Sequence, residues 1–502
     1  MRYRIRLQRL RANVRGFHAG QARFRPIPAQ RFSITAPPNA TQSQILSELN
    51  KYASRAAEQA HGNTFKLSGV ALLASRDFTS WLDDEDFMST FLKTLLGPMN
   101  TGKTRAWSLH VLSGITDGLG PCNLSGECPS GFSVLCGPAS KILPGLWAND
   151  GISGTTQDSA AHISLVTNPL VKIPGVLEVT VPLANTVFQN GRRSSLYASR
   201  WDIGTNGSMV LQLKCSKTNQ RIAGGGYSVS PTSSIIPLLP LTQPRRIVSS
   251  FGNIVRQVEV DDSITSASKE LETIIPEILE KRAQHESTSS PGPIGVWCWV
   301  IPPYCMGIKK FDNLNLFKAG SSQSETDVAL SSMELFSDLL SSGCRLHKIL
   351  SGGGGWGQKQ GLLSLDPEAS PSWASSDNDM ELFIKSFNEG ISGPSAYDVA
   401  PPGSYLMFCI EPHMTEMKAQ SSQLLASMKT LALGVAPGPE YTPSSDHHSD
   451  LVEIIDNYFG ISSVRGLFLK TTREYAGISS SDEVARKSVT TKVDVPGAYF
   501  CI

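Results

Sequence analysis

The sequence predicts an α/β fold, with α+β as the alternative: mixed-sheet layers with packed helices, in two domains behind a disordered N-terminal presequence. Three observations carry this. From residue 41 onward, segments with apolar residues at helical spacing alternate with short β-branched or aromatic runs. Apolar residues make up 40% and charged residues 18% of the chain, the balance of a soluble globular protein. A proline-rich passage, SIIPLLPLTQPRR, separates two such series and sets a domain boundary near Leu241.

The elements follow in order. Thr41 or Ser43 caps a helix with Ile45, Leu49, Tyr52, Ala56 and Ala60 on one face, and Gly62 stops it. A strand spans Leu67 to Ser75. The next helix, DEDFMSTFLKTLLG, aligns Phe87, Phe91, Leu92 and Leu95. Strands follow at Trp107 to Ile115 and Gly131 to Gly137. Between Ser164 and Cys215 the pattern turns to strands, with hairpin chemistry at Asn190-Gly191 and at the Gly-Ser before MVLQLKC. Beyond Leu241, SASKELETIIPEILEKRAQ reads as a helix that Pro276 should kink. HESTSSPGP reads as a linker, GVWCWVIPP as a buried strand, and TDVALSSMELFSDLLSSG as a helix closed by Gly343. CRLHKIL, GLLSL and SYLMFCIEP read as strands, EASPSWASSDNDM as a polar loop and VEIIDNYFG as a late helix.

Residues 1–40 hold nine arginines and no acidic residue; the first acid is Glu48. Arg2, Arg4, Arg6, Arg9, Arg11 and Arg15, with Leu7, Leu10 and Val14 as the apolar side, fit an amphipathic mitochondrial transit peptide. The alternative is a basic arm that stays on the protein and touches a partner. Two cleavage neighbourhoods present themselves, Arg15-Gly16-Phe17 and Arg31-Phe32-Ser33. Taking the nine arginines from the 45 basic residues leaves 36 against 44 acidic ones, a net charge of −8. Such an acid surplus argues against binding nucleic acid through phosphates. The organisation is then a transit peptide at 1–40, one α/β domain at 41–241 and a second at 242–502 that contains the glycine-rich loop 351–357. No apolar run reaches the length of a membrane helix.

Gly97 to Thr104 spells GPMNTGKT, a match to the phosphate loop in which Gly97 and Gly102 shape the turn, Lys103 reaches phosphate oxygens and Thr104 holds magnesium. That loop needs a strand before it and a helix after it. Here a helical pattern precedes and a strand pattern follows. The second unusual string is SGGGGWGQKQ. One reading makes it a ligand loop, with Gly352, Gly353, Gly354 and Gly355 offering bare amides to an anion, Trp356 covering it and Lys359 adding charge. The other makes it a turn between two strands with Trp356 plugging the core. Nine cysteines at scattered spacings form neither a disulfide framework nor a zinc site, so buried free thiols are expected. His447-His448 between Asp446 and Asp450 reads as a solvated turn, His110 as a core or edge residue, and His347 as a residue placed to orient a ligand beside the glycine run. No metal and no cofactor is implied, and no catalytic motif survives its context, which leans away from an enzyme.

The strings SGVALLAS, WSLHVLSGITDGLGP and PSGFSVLCG stand in the order in which FIST (F-box and intracellular signal transduction) domains present their first strands, and the region from Leu67 to Gly137, extending toward Gly226, resembles that domain. The resemblance implies a sensory module that binds a small, often amino-acid-like, ligand and has no shared catalytic set. This chain lacks an F-box segment. The leading expectation is a non-catalytic mitochondrial matrix protein, a FIST-like sensor or scaffold that binds a small molecule or a mitochondrial protein complex. The alternatives are a gene-expression or ribosome-associated assembly factor and a nucleotide hydrolase using Gly97 to Thr104.

Overall fold

The computed structural model describes residues 29–59, 67–97, 106–120, 128–148, 160–166, 176–223, 233–285, 294–321, 323–352, 361–370, 398–413, 431–438, 451–474 and 486–501. Helices combine with mixed and antiparallel sheets, the α/β to α+β class.

The first half runs β1 (Gln30–Thr35), α1 (Gln42–Gln59), β2 (Gly69–Ser75), α2 (Thr79–Asp83), α3 (Glu85–Leu96), β3 (Trp107–Thr116), β4 (Gly131–Gly137) and α4 (Ala139–Ile142). It continues with β5 (His162–Val166), β6 (Val176–Pro182), α5 (Val187–Asn190), β7 (Leu196–Ile203), β8 (Met209–Ser216), β9 (Asn219–Ala223) and β10 (Ser233–Ile235). Next come β11 (Leu239–Pro240), β12 (Arg245–Phe251), β13 (Ile254–Val260), β14 (Ser263–Ser266), α6 (Lys269–His285), β15 (Val296–Ile301) and α7 (Glu325–Ser341). Among the described residues the elements that follow are strands: β16 (Arg345–Gly352), β17 (Leu363–Leu365), β18 (Tyr405–Ile410), β19 (Leu431–Val435), β20 (Glu453–Asp456), β21 (Phe459–Ser463), β22 (Leu467–Glu474), β23 (Arg486–Val493) and β24 (Tyr499–Cys501).

The helices start where local chemistry satisfies their free amides. Thr41 and Gln44 form a reciprocal capping box, with Gln44 N–H on Thr41 Oγ1 at 3.3 Å and Thr41 N–H on Gln44 Oε1 at 2.8 Å. Asp84 Oδ1 accepts from the amides of Asp86 and Phe87 to open α3. Gly343, at φ +80°, closes α7.

A seven-stranded sheet, ordered β20-β1-β4-β2-β3-β7-β8, forms the centre of the first half. Its middle strands β2 and β4 are buried at every residue because both faces are covered. In β2, Val70, Leu72 and Ala74 point into a core shared with α1 and α3, through Ile45, Leu49, Phe87 and Phe91. Ala71 and Leu73 point the other way, toward Ile163, Leu165, Val179 and Leu469 of a five-stranded sheet ordered β23-β22-β6-β5-β9. In the second half, β12, β13, β17, β16, β15 and β18 pair in a closed ring. Cys298, Val300, Leu406 and Phe408 face α6 and α7 from it, while Trp297, Trp299, Met407 and Cys409 join the core of the first half. A small sheet, β10-β24-β19-β21, completes the molecule.

Four expectations change. Strand β1 lies inside the span 1–40, and its Phe32 and Ile34 are buried. The boundary near Leu241 parts the first sheet from the ring, but residues 431–501 cross it again: β20 joins the first sheet and β22 and β23 the five-stranded one. VEIIDNYFG is two strands rather than a helix, because Asn457 adopts φ +58° and turns β20 into β21. Asn190-Gly191 is not a hairpin turn. Gly191, at φ +73°, caps the single turn of α5, which carries the chain from the five-stranded sheet to the first one. The expected hairpin before MVLQLKC is present, with Gly204 N–H bonded to Ser208 O between β7 and β8. Pro276 lies inside α6, which continues through it. Of the expected linker HESTSSPGP, His285 ends α6, while residues 286–293, most of EASPSWASSDNDM and His447-His448 fall outside the described residues. Among the described residues, no helix is long and apolar enough to cross a membrane.

Candidate functional site at the carboxyl ends of two parallel strands

Strands β2 and β3 run parallel and in register, from Gly69 opposite His110 to Ser75 opposite Thr116. The next residues, Arg76 and Asp117, therefore leave the sheet side by side. Arg76 Nη2 donates to Asp117 Oδ1, and Asp117 Oδ2 accepts from the Val464 amide at 2.8 Å. The Asp117 side chain is 2% exposed and that of Arg76 39%, so a buried carboxylate holds a guanidinium that reaches solvent. Burial pushes the Asp117 carboxyl up, and Arg76, the Val464 amide and Arg465 offset that only in part. Arg76 Nε is buried and has no hydrogen-bond partner.

The segment that carries Asp117 lies flat on β21. Asp117 N–H bonds Ser462 O at 3.1 Å, and Ser462 N–H bonds Gly118 O at 2.9 Å. Only glycine permits this approach. A Cβ on Gly120 would sit 2.3 Å from the Ile461 carbonyl oxygen. Beneath it, the Ser33 and Ser133 hydroxyls share a 2.7 Å hydrogen bond, and Ser133 Oγ donates to Gly460 O at 2.5 Å. Around the rim, Ser130 Oγ donates to Asp77 Oδ2 at 2.6 Å, and the Gly131 amide donates to Ser75 Oγ at 2.9 Å. Cys128, also at this rim, is disulfide-bonded, whereas the seven other described cysteines are thiols outside any disulfide. The expectation of free thiols throughout is corrected at that position.

This arrangement suits an oxyanion. A guanidinium offers five donors in a fixed fork, and Asp117 fixes the plane of this one while leaving donors over. The carboxyl ends of parallel strands are also where α/β sheets characteristically bind ligands.

The residues singled out from sequence are placed differently. Gly352 ends β16 opposite Leu363, while Gly353, Gly354, Gly355, Trp356 and Lys359 fall outside the described residues. Farther back on the same strand, beside His347, stands a polar cluster centred on Lys492. Lys492 Nζ lies 3.0 Å from Asp366, 2.7 Å from Glu368 and 3.8 Å from Asp494, and Trp297 Nε1 donates to Asp494 Oδ1 at 2.7 Å. His347 bonds the Asp366 carbonyl through Nδ1 at 2.8 Å, and its Nε2 has no partner. Burial pushes this imidazole down to about 4, so it is neutral at pH 7. His110 accepts from Trp147 Nε1 at 3.0 Å. Gly97 caps α3 in right-handed helical conformation rather than the left-handed one of a glycine stop. Gly102, Lys103 and Thr104 fall outside the described residues, with α3 before them and β3 after. Among the described residues, no group of three or more His, Cys, Asp or Glu could hold a metal ion.

Arg76 and Asp117 are absent from the sequence expectations. Their signal was the acid and two glycines of TDGLGP at a strand end, which by itself reads as turn chemistry. No family model, curated protein or solved structure matches this chain.

Proposed function

We propose that this is a non-catalytic mitochondrial matrix protein, a FIST-like sensor or scaffold, that binds a small anionic ligand at Arg76. The observation that carries the reading is the Arg76–Asp117 pair: one partner buried, the other reaching solvent, at the carboxyl ends of β2 and β3 with Nε unpaired. Binding through a pre-oriented guanidinium needs no rearrangement of the sheet. A ligand carboxylate would accept from the guanidinium N–H groups that reach solvent and that Asp117 leaves over. The arginine-rich leader and the FIST-like strings support the compartment and the sensory role. Hydrolysis at Gly97 to Thr104 is not proposed, because a helix leads into that string and a strand leads out of it, the reverse of a phosphate-binding unit.

The test is thermal unfolding of the purified protein against a panel of amino acids, 2-oxo acids, dicarboxylic acids and inorganic phosphate. One class is expected to raise the midpoint by several degrees, following the linkage of binding to stability. Arg76→Lys should weaken that shift at least tenfold in ligand concentration while keeping the charge. If no compound shifts the midpoint, or if Arg76→Lys leaves the shift intact, the site is not at Arg76.

A further inference from the structure

We infer that the precursor is cut ahead of β1, as at Arg15-Gly16-Phe17, and not at Arg31-Phe32-Ser33, so that β1 stays in the mature protein; this rests on the matrix-import reading above. The structure decides between the two cleavage neighbourhoods. All six residues of β1 pair with β4, from Gln30 opposite Cys136 to Thr35 opposite Gly131. On the other side β1 pairs with β20, and among the described strands β20 pairs with β1 alone. Both faces are occupied. Phe32 packs on the Tyr52 ring with centroids 4.6 Å apart, and Ile34 joins the helical core. Ser33, on the opposite face, bonds Ser133 Oγ at 2.7 Å and the Tyr458 carbonyl at 3.2 Å. Arg31 Nε bonds the Asn457 carbonyl at 3.1 Å, at the turn between β20 and β21.

A cut within Arg31-Phe32-Ser33 would remove the first residues of β1 and place a charged α-ammonium in the interior of a sheet. An unpaired charge there is strongly disfavoured. It would also detach β20. A cut at Gly16 spares all of this. It leaves 13 residues before Ala29, a reach of about 40 Å when extended, enough for a peptidase to hold the chain clear of the sheet. The step is hydrolysis of one peptide bond: its C–N bond breaks, water supplies hydroxyl to the carbonyl carbon, and the released amine takes the proton. Only six of the nine arginines are then lost. The 39 basic residues that remain against 44 acidic ones give the mature chain a net charge of −5 rather than −8.

Two measurements test this. The radiolabelled precursor is imported into isolated mitochondria, and the processed product is sequenced from its N-terminus. A first residue at or before Gln30 is expected, and one at Arg31 or beyond overturns the inference. In parallel, recombinant chains beginning at Gly16 and at Ser33 are unfolded by heat. The first should show the cooperative transition of the full chain and the second should lose it. Equal transitions would show β1 to be dispensable and sink the inference even if import occurs. A folded Gly16 chain whose precursor is neither imported nor cut removes the matrix reading instead, and the processing step with it.

Discussion

Gly460 and Gly120 meet so closely that a Cβ on Gly460 would lie 1.9 Å from the Gly120 carbonyl oxygen. The contact presses the segment after β3 onto β21 and sets where Asp117 stands. The obstacle is backbone on both sides, so no side chain can turn away to relieve it. Gly460→Ala should cost about 1–3 kcal/mol, the range for forced overpacking, read as a lower urea midpoint. A loss under about 0.5 kcal/mol, the level of an inert surface change, would mean the two segments do not touch. The ligand-induced shift should weaken in the same variant, because the Asp117 carboxylate moves with its segment.

Arg76→Gln leaves Asp117 buried beside its one remaining strong donor, the Val464 amide. The expected loss at pH 7 is about 2 kcal/mol, below the 3–5 of a fully buried pair because Arg76 is more than one-third solvated. The pH dependence has a definite sign. An acid whose pKa is higher folded than unfolded binds its proton more tightly in the native state, so its charged form destabilises as pH rises. The variant's deficit should therefore shrink as pH falls from 7 toward the unfolded carboxylate value near 4. A deficit that grows on acidification would show that Asp117 is not the group left exposed to burial.

These two sites mark where the sequence ceases to be legible. The continuous apolar runs of β2 and β4, the helical stripe of α3 and the cap of α7 are local signals, and each stands where the pattern placed it. What failed depended on partners far along the chain. VEIIDNYFG carries apolar residues at a spacing that fits a helix, yet its first half pairs with β1 and its second with β19. The strand β1 was hidden inside an arginine-rich stretch, where charge outweighed the short alternation of Phe32 and Ile34. The pairing of Arg76 with Asp117 could not be read at all, because it exists only through the register of two parallel strands. The glycine run stood out by composition, but the residues that depart from local rules in a contact-dependent way were the quieter Gly118, Gly120 and Gly460.

His347 should make stability depend on pH. Its folded value is pushed down to about 4 from an ordinary 6.5, so below 6.5 the unfolded chain takes up a proton that the native state refuses. Stability is therefore lost as pH falls through that window, by up to about 3 kcal/mol at its lower end. His162, also pushed down to about 4, adds a second proton to the slope. His347→Gln should remove one proton's worth of slope between pH 6.5 and 4, measured by urea unfolding across pH. An unchanged slope would mean that the imidazole is free to charge where it stands.

The ion pair between α6 and α7 offers the sharpest energetic test. Arg282 binds Glu325 through two hydrogen bonds of 3.1 and 2.8 Å, with side chains only 8% and 7% exposed. Arg282 Nη2 also donates to the Glu411 carbonyl, and Glu325 Oε2 accepts the His413 amide, so the pair fastens both helices to the end of β18. Attraction inside the protein is opposed by the cost of stripping water from both charges, and the two nearly cancel. Removing one partner exposes the second cost alone. Arg282→Met should therefore lose about 3–5 kcal/mol, whereas the Arg282→Met, Glu325→Leu double variant should recover most of it despite lacking the ion pair. Denaturant unfolding of the two single variants and the double variant gives the coupling directly. If the double variant lost as much as the two single changes summed, the charges would be acting independently and the pair would not be what joins α6 to α7.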